Sequence, residues 1–504
     1  MVKFREMSRV LLCQLLIFFA LGSSAQQMES KPSDGRLFVH TDKDVYLANE
    51  TMWLSAYVFG HHTEELVQHK VLTIVLSGAD SGQLLISEKY QIRNGLSSGK
   101  LILPDSIRPG LYKLIAYTDI LEPPLLKPVA LFTANVYLGR RPDSDLKRND
   151  PKSVLENGDH VSKGVRAQLL TDKHVYEKRE MAKMKIKLSD SSGRPLQGLF
   201  SVSVAHVTRL NGNHRKIIDV HPQSLSNIIV HSPPPLALNV KYRGRSIDRS
   251  VDIIMFGNNG LQVLSTNNKG RQQIDVDRLL TTYGKKISFM VSGNKSSSYQ
   301  IDVLDTLLST GILLAKEHIL SPETLTELEN VPIKLPDLAD RVFELSTVTI
   351  KGGSRRSTSY KGVPGVNDCG DWVDEFDYLN YPYSQKRYQP IVGKQYKKRT
   401  DLNGENNAFK VEPVYYTGCE TSVKKYVTLV KGINLESTFY GLDQSSVSLQ
   451  YLTTLFWDSA ILTDLNGNAE ISFRTADLSG EYRIILQGIT NDKVCYGEAF
   501  LEVK

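Results

Sequence analysis

The chain has 504 residues, enough for several domains that each bury a core of their own. Its 61 Lys+Arg against 55 Asp+Glu leave a net charge of +6, which is too mild over this length to indicate a nucleic-acid-binding protein. Only four cysteines are present, so the chain is not a disulfide-rich scaffold and packing must supply its folding free energy.

The N-terminus has the order of features that is typical of a secretory signal peptide. Basic residues precede an apolar run at residues 10–21, and Ser23 and Ala25 are the small side chains required before a cut at Gln26. We therefore predict that residues 1–25 are removed. The alternative is an uncleaved anchor, although about 20 apolar residues are needed to cross a bilayer. No later segment is long enough, so the sequence predicts no transmembrane span after cleavage.

Residues 36–138 are predicted to form a first β-sandwich. Short apolar segments alternate there with turn signals such as Pro109-Gly110, and helical periodicity is scarce along the whole chain. The predicted fold class is therefore all-β, with tandem antiparallel β-sandwich domains and loop-rich insertions. Residues 139–164 are charged and rich in Asp, Asn, Ser and Gly, which indicates a linker.

A short motif occurs twice. Thr-Asp-Lys-x-x-Tyr at residues 41–46 returns at residues 171–176, and a strand-like segment follows each copy. The repeat predicts a second, related sandwich at residues 165–300. Residues 211–249, with three consecutive prolines, have little regular pattern and are predicted to be a long inserted loop.

We interpret the motif as a structural turn that begins each sandwich. Asp42 is expected to accept hydrogen bonds from turn amides, and Lys43 is expected to be solvated. A ligand-binding role for this pair is the alternative.

The remaining sequence divides into three parts by composition. Residues 301–350 are predicted to be a helical and extended connector in which Ser321 caps a short helix. Residues 351–431 form a loop region rich in tyrosine and lysine. Residues 432–504 again have strand patterns and are predicted to form a C-terminal β domain.

The tyrosine-rich region contains the candidate ligand-binding surface. Aromatic side chains beside lysines and arginines suit contacts with a glycan or a peptide. The alternative is that the tyrosines cover a sheet edge while the cations are solvated. The candidate residues are Trp372, Tyr378, Tyr381, Tyr383 and Tyr388.

Three segments together resemble a known family. Residues 36–46 with 51–57 resemble the MG2 domain of the alpha-macroglobulin-like proteins of Gram-negative bacteria, and residues 454–488 resemble a later strand region of the same proteins. The resemblance implies tandem macroglobulin/immunoglobulin-like sandwiches in a protein exported to the periplasm, the outer membrane or the cell surface. Residues 344–350 faintly resemble the segment that opens the plug of TonB-dependent outer-membrane receptors.

The cysteines argue against one activity of this family. The internal thioester of some alpha-macroglobulins needs Gly-Cys-Gly-Glu-Gln, whereas Cys419 is followed by Glu-Thr-Ser. Covalent trapping by a thioester is therefore not expected. Cys369 and Cys419 are the better pair for a disulfide, since each adjoins a glycine in a loop-like region, and Cys495 is predicted to be a buried free thiol.

No catalytic, cofactor or metal site is predicted. A nucleophile elbow, a zinc-binding histidine pair and a phosphate loop are all missing from their expected contexts. His61 and His62 would point to opposite faces of a strand, so they cannot easily share an ion. Residues 464–467 begin like a calcium loop, but its other ligands are not at the required spacing.

The sequence thus favours a non-enzymatic exported protein of the cell envelope. Its sandwich domains would act as spacers and as protein-interaction modules, with an unidentified envelope protein as partner and a link to an outer-membrane uptake or assembly system. One alternative is a protease-binding or inhibitory module without a thioester. Another is a carbohydrate-binding protein or enzyme, which as an enzyme would need two facing carboxylates.

Overall fold

A computed structural model of the chain describes most of the residues from Arg36 to Lys504. The described ranges are 36–60, 63–122, 127–139, 159–162, 164–210, 215–220, 232–293, 296–322, 324–325, 364–367, 371–381, 384–391, 394–401, 409–416, 427–442, 450–490 and 493–504. The predicted signal peptide, most of the predicted linker and the plug-like residues 344–350 therefore lie outside the described residues.

The predicted fold class is confirmed, because sheets of mostly antiparallel strands make up three packed β-sandwiches. The first contains a sheet in the order β1-β3-β6 and a facing sheet in the order β2-β10-β7-β4-β5. Alternate residues of the two sheets fill its core, where the rings of Phe38 and Phe132 meet edge to face at 5.6 Å. The elements are β1 (Leu37–Thr41), β2 (Val45–Tyr46), β3 (Thr51–Val58), α1 (Thr63–Gln68), β4 (Val71–Gly78), β5 (Leu84–Gln91), β6 (Leu96–Ile102), β7 (Gly110–Thr118), β8 (Leu121–Glu122), β9 (Lys127–Pro128) and β10 (Leu131–Leu138).

The second sandwich contains the repeated motif but begins before it, at Asp159–Ser162, which the sequence assigned to the linker at residues 139–164. Its first strands are β11 (Asp159–Ser162), β12 (Val165–Thr171), β13 (Val175–Tyr176), β14 (Met181–Asp190) and β15 (Gly198–His206). Residues 182–188 of β14 alternate between buried apolar and exposed polar side chains, which is the pattern of a sheet with one wet face, whereas β15 is buried along almost its whole length.

A third sandwich follows where the sequence predicted only a loop and the end of the second sandwich. Residues 211–249 include two strands of this sandwich, so the prediction of a long loop there is wrong in its second half. The elements are β16 (Leu236–Tyr242), β17 (Arg245–Ser246), β18 (Asp252–Gly257), β19 (Gly260–Ser265), β20 (Arg271–Ile274), α2 (Val276–Leu279), β21 (Leu280–Thr281), β22 (Lys286–Val291) and β23 (Tyr299–Leu304).

The predicted connector at residues 301–350 contributes a helix to this assembly. Helix α3 (Thr306–Glu317) is capped by Asp305, whose carboxylate accepts from the Leu308 amide at 2.9 Å. The helix lies against the first sandwich, where the Tyr117 hydroxyl donates to the Leu307 carbonyl. Ser321 accepts from the Thr324 amide at 3.3 Å, which confirms the predicted cap.

Four short strands lie between the connector and the C-terminal part. Strands β24 (Gln395–Asp401) and β25 (Phe409–Tyr415) pair only with each other among the described strands. Strand β26 (Thr428–Lys431) joins the β19-β18-β22 sheet, and β27 (Ile433–Asn434) continues the second sheet of the first sandwich beside β5.

The C-terminal strands return to the second sandwich. They are β28 (Thr454–Leu462), β29 (Asn468–Arg474), β30 (Gly480–Thr490) and β31 (Val494–Val503). Strand β29 pairs with β14, and β15 lies between β28 and β30. Residues 432–504 are therefore not a separate β domain, because their strands complete sheets that begin before residue 207. Cys495 is free and buried, as predicted, and burial raises the pKa of its thiol to about 12.

Gly488 allows close contact between two central strands of this sandwich. It pairs with Phe200, and an added Cβ would lie 2.3 Å from the Phe200 Cβ. We expect Gly488→Ala to lower the free energy of unfolding by about 3 kcal/mol, because neither strand can move aside in a packed core. Gly257→Ala is the control, since its Cβ would meet its nearest neighbour at 3.6 Å. Equal urea midpoints for the two variants would contradict this prediction.

Candidate interaction surfaces

The two copies of the repeated motif form the same hydrogen-bonded turn. Asp42 Oδ1 accepts from the Tyr46 hydroxyl at 2.8 Å and from the Trp53 amide at 2.9 Å. In the second copy, Asp172 Oδ1 accepts from the Tyr176 hydroxyl at 2.8 Å and from the amide at the corresponding position of the next strand. The structural interpretation of the motif is confirmed, although the amide belongs to the following strand rather than to the turn.

The two turns differ in what covers them. Lys43 is only 4% exposed, because its ammonium lies 3.2 Å from Glu50 and donates to Thr453 in the second sandwich at 2.9 Å. The prediction that Lys43 is solvated is therefore wrong. The side chain of Lys173, at the same position in the second copy, is 53% exposed. The first turn is therefore buried between the first and second sandwiches. We call this contact, which includes Lys43, Glu50 and Thr453, the joint.

Two carboxylates in this joint have opposite pKa shifts. Burial raises the pKa of Asp42, and the nearby Lys43 ammonium and three hydrogen bonds only partly offset it. Burial also opposes the charge of Glu50, but Lys43 and the buried Arg209 outweigh it and lower the pKa of Glu50. In the second copy, the described cation paired with the matching Glu180 is the exposed Lys173. The Glu50 carboxylate therefore neutralises the buried charges of Lys43 and Arg209 between the first and second sandwiches. This role is structural.

The tyrosine-rich region forms a small module around the β24-β25 pair. Val373, Tyr396 and Tyr416 make up its core. Asp374 is buried and accepts from the amides of Phe376 and Tyr378 at 2.9 and 2.8 Å. These contacts show that several aromatic residues of the region hold the module together.

Most of the predicted ligand-binding residues are stacked with cations of the same module. The pairs are Arg387 over Trp372 at 4.4 Å, Lys397 over Tyr378 at 5.4 Å and Arg399 over Tyr381 at 5.6 Å. Tyr378 and Tyr381 also contact each other, with ring centroids 5.7 Å apart. Tyr388 is half-exposed. Tyr383, Cys369 and Cys419 lie outside the described residues, so the predicted disulfide stays a prediction.

The third sandwich has an apolar outer face that the sequence did not reveal. Cross-strand partners share a face of a sheet, and Ile254 pairs with both Val263 and Met290, while Phe256 pairs with Leu261. Leu429 extends the face on β26. The most exposed members are Leu261 at 65%, Phe256 at 59%, Val263 at 59% and Leu429 at 43%. An apolar sheet face of this kind is typical of a surface that binds another protein.

This apolar face ends at an unprotected strand edge. Strand β19 is the first strand of its sheet, and no other described strand pairs with its outer side. Proteins usually block such an edge with lysine, proline or a bulge. The sequence of β19, Gly-Leu-Gln-Val-Leu-Ser, contains no lysine and no proline, and its pairing with β18 has no bulge. The edge is therefore suited to accept one more strand.

A cleft of about 420 Å³ lies where residues 436–442 cross β28 and β29. Two carboxylates line it, but Glu436 accepts from the hydroxyls of Ser98 and Ser459 at 3.0 Å, and Asp458 accepts from the Ala460 amide. The two bonds to Glu436 fix the crossing segment to the first and second sandwiches. Within the described ranges, no cluster of three metal-ligating residues occurs, and no helix is long and apolar enough to cross a membrane.

No protein-family model and no curated protein matches the chain. Solved structures similar to it in part include Salmonella alpha-2-macroglobulin reacted with methylamine, with 10% identity, a TM-score of 0.28, and coverage of 94% of this chain and 40% of that one. Escherichia coli alpha-2-macroglobulin activated by porcine elastase has 8% sequence identity and a TM-score of 0.26, and the match covers 93% of this chain and 43% of that chain. The Escherichia coli adhesin FdeC has 12% sequence identity and a TM-score of 0.16, and the match covers 53% of this chain and 64% of the adhesin chain.

The chain spans about two fifths of the length of these macroglobulins. Their likeness to it is partial and concerns the arrangement of strands alone. Membership in the MG2 family remains a prediction from the motifs, and the function is inferred from the surfaces described above.

Proposed function

We propose that the chain is a non-enzymatic, exported envelope protein whose sandwiches serve as spacers and as protein-interaction modules. The observation that carries this proposal is the apolar outer face of the third sandwich, which ends at the uncharged edge of β19. Burying large side chains such as Phe256 and Leu261 in an interface would contribute about 1.5–3 kcal/mol each.

The partner that fits this surface is an extended segment of another envelope protein. Such a segment would add to β19 as a further strand, and its backbone groups would satisfy the free N–H and C=O groups of the edge. Its apolar side chains on one side would extend the face formed by Leu261 and Val263. A strand with alternating apolar residues would therefore bind better than a charged one.

The proposed location is the periplasm or the outer surface of a Gram-negative bacterium. It rests on the predicted signal peptide and on the MG2 resemblance of residues 36–57. A link to an outer-membrane uptake or assembly system is proposed from the plug-like residues 344–350. The tyrosine-rich module would supply a second contact, to a peptide or glycan, through half-exposed Tyr388.

Cross-linking with envelope extract tests the proposed surface. The mature wild-type chain should capture a partner whose cross-links map to β19, and the amides of β19 that do not bond to β18 should become protected from hydrogen exchange. We expect the combined Phe256→Thr, Leu261→Thr and Val263→Thr variant to reduce capture about ten-fold or more, since it removes the exposed apolar side chains at the centre of the face.

A matched variant controls for a general loss of surface hydrophobicity. Tyr440, Leu462 and Leu465 are at least as exposed and lie outside the third sandwich. Their combined replacement by threonine should leave capture unchanged. Equal losses in the two triple variants, or unprotected β19 amides in the complex, would contradict the proposed surface.

A further inference from the structure

A basic concavity lies at the turn between β16 and β17, in the third sandwich. Its volume is about 660 Å³, and Tyr242, Ile247 and the three arginines line it together with Ser246 and Asp248. Arg243, Arg245 and Arg249 are all exposed. Within the described part of the chain, no carboxylate forms an ion pair with any of these three guanidinium groups. Three planar donors and one carboxylate, Asp248, therefore line one open site with an excess of positive charge.

The turn holds one arginine in an unfavourable backbone conformation. Arg243 has a φ of 48° and Gly244 a φ of 78°, as a two-residue hairpin requires. Asparagine or glycine would adopt the first of these angles at lower cost. An arginine at this strained position is a reason to look for a function of its side chain.

Two tyrosines form an aromatic wall beside the arginines. Tyr242 and Tyr299 are cross-strand partners on β16 and β23, with ring centroids 5.0 Å apart. The Arg249 guanidinium donates to the Tyr299 hydroxyl at 2.6 Å, and the Arg243 guanidinium lies 5.5 Å from the Tyr242 ring centroid. The two rings meet at 61°, and Tyr242, which lines the concavity, is the aromatic side chain beside Arg243.

We propose that this concavity binds an anionic glycan. The guanidinium groups of Arg243, Arg245 and Arg249 would bind its sulfate, phosphate or carboxylate groups in bidentate fashion. A sugar ring would pack against Tyr242. The concavity is open to solvent, and its volume suits one or two sugar residues, whereas a nucleic-acid strand needs a groove that follows its backbone. The site is independent of the proposed strand-binding edge of β19.

Calorimetric titration of the mature chain at low salt tests this site. The probes are a heparin hexasaccharide, which carries sulfates, and a polygalacturonate hexamer, which carries carboxylates. Binding of either probe is expected, and the anion of the tighter probe identifies the preferred group. The combined Arg243→Ala, Arg245→Ala and Arg249→Ala variant should bind about thirty-fold more weakly, since several charge-assisted hydrogen bonds are lost.

A control variant separates a built site from general attraction to positive charge. Lys183, Lys185 and Lys187 are exposed on β14 of the second sandwich, and their replacement by alanine removes the same charge. This variant should bind within about two-fold of the wild type. Equal losses in the two variants, equal affinity for uncharged maltohexaose, or tighter binding of a dT hexamer would overturn the proposal.

Discussion

Replacing Glu50 with alanine is expected to lower the free energy of unfolding by about 3–5 kcal/mol, because it removes the carboxylate that is paired with two buried cations. Lys43 lies 3.2 Å and Arg209 lies 3.4 Å from the two oxygens of this carboxylate. Both cations are almost fully buried. Urea unfolding followed by tryptophan fluorescence measures the effect. Trp53 is a suitable probe because it lies on β3, which pairs with β6, and its backbone amide donates to Asp42 in the joint.

Glu180→Ala is the matched control for this prediction. Glu180 has the same position in the second turn and accepts from the Glu177 amide, as Glu50 does from the Leu47 amide. Its lysine partner, Lys173, is exposed, so replacing Glu180 should lower the free energy of unfolding far less than replacing Glu50 does. Equal effects of the two substitutions would show that the burial of the first turn contributes nothing.

The lowered pKa of Glu50 adds a dependence on pH. A carboxyl with a lowered folded pKa stabilises the protein above its unfolded pKa, about 4.3, and this contribution is lost as the pH falls through the folded pKa. The difference in stability between wild type and Glu50→Gln should therefore be largest near neutral pH and shrink in acid. A difference that grows in acid would exclude the ion pairs as its source.

Local patterns predicted the class of fold because they depend on neighbouring residues. Alternation along the strands and the repeated motif both follow from side-chain direction and turn chemistry. The solvation of Lys43 could not be predicted in this way, since Thr453, which covers it, is 410 positions away in the sequence. The three-dimensional neighbour, rather than the motif, decides the environment of that lysine.

The apolar face was missed for a related reason. In β18, Ile253 and Met255 are buried, while Ile254 and Phe256 point to the outer face. A strand with apolar side chains on both faces has the sequence pattern of a strand that packs against other elements on both faces. The sequence does not show that one of these faces is left exposed. In the tyrosine-rich module, the binding surface stays a prediction, and cations of the same module stack on the rings of Trp372, Tyr378 and Tyr381.

A chain split between residues 443 and 449 should remain assembled, because the two parts share the sheets of the second sandwich. The C-terminal part supplies β28, β29, β30 and β31, and the N-terminal part supplies β12, β14 and β15. Strand β15 has partners only from the C-terminal part, with β30 on one side and β28 on the other. Neither half of this core can bury its apolar side chains alone.

The split chain gives a direct test of this shared sandwich. Co-expressed parts, with an affinity tag on residues 26–446 only, should be purified together, while residues 447–504 expressed alone should show a disordered circular dichroism spectrum. Gly488→Ala in the short part should weaken the association, since it forces β30 away from Phe200. A folded, monomeric C-terminal fragment would instead restore the independent domain that composition predicted. In that case the pairing of β14 with β29 would be a contact between domains rather than part of one core.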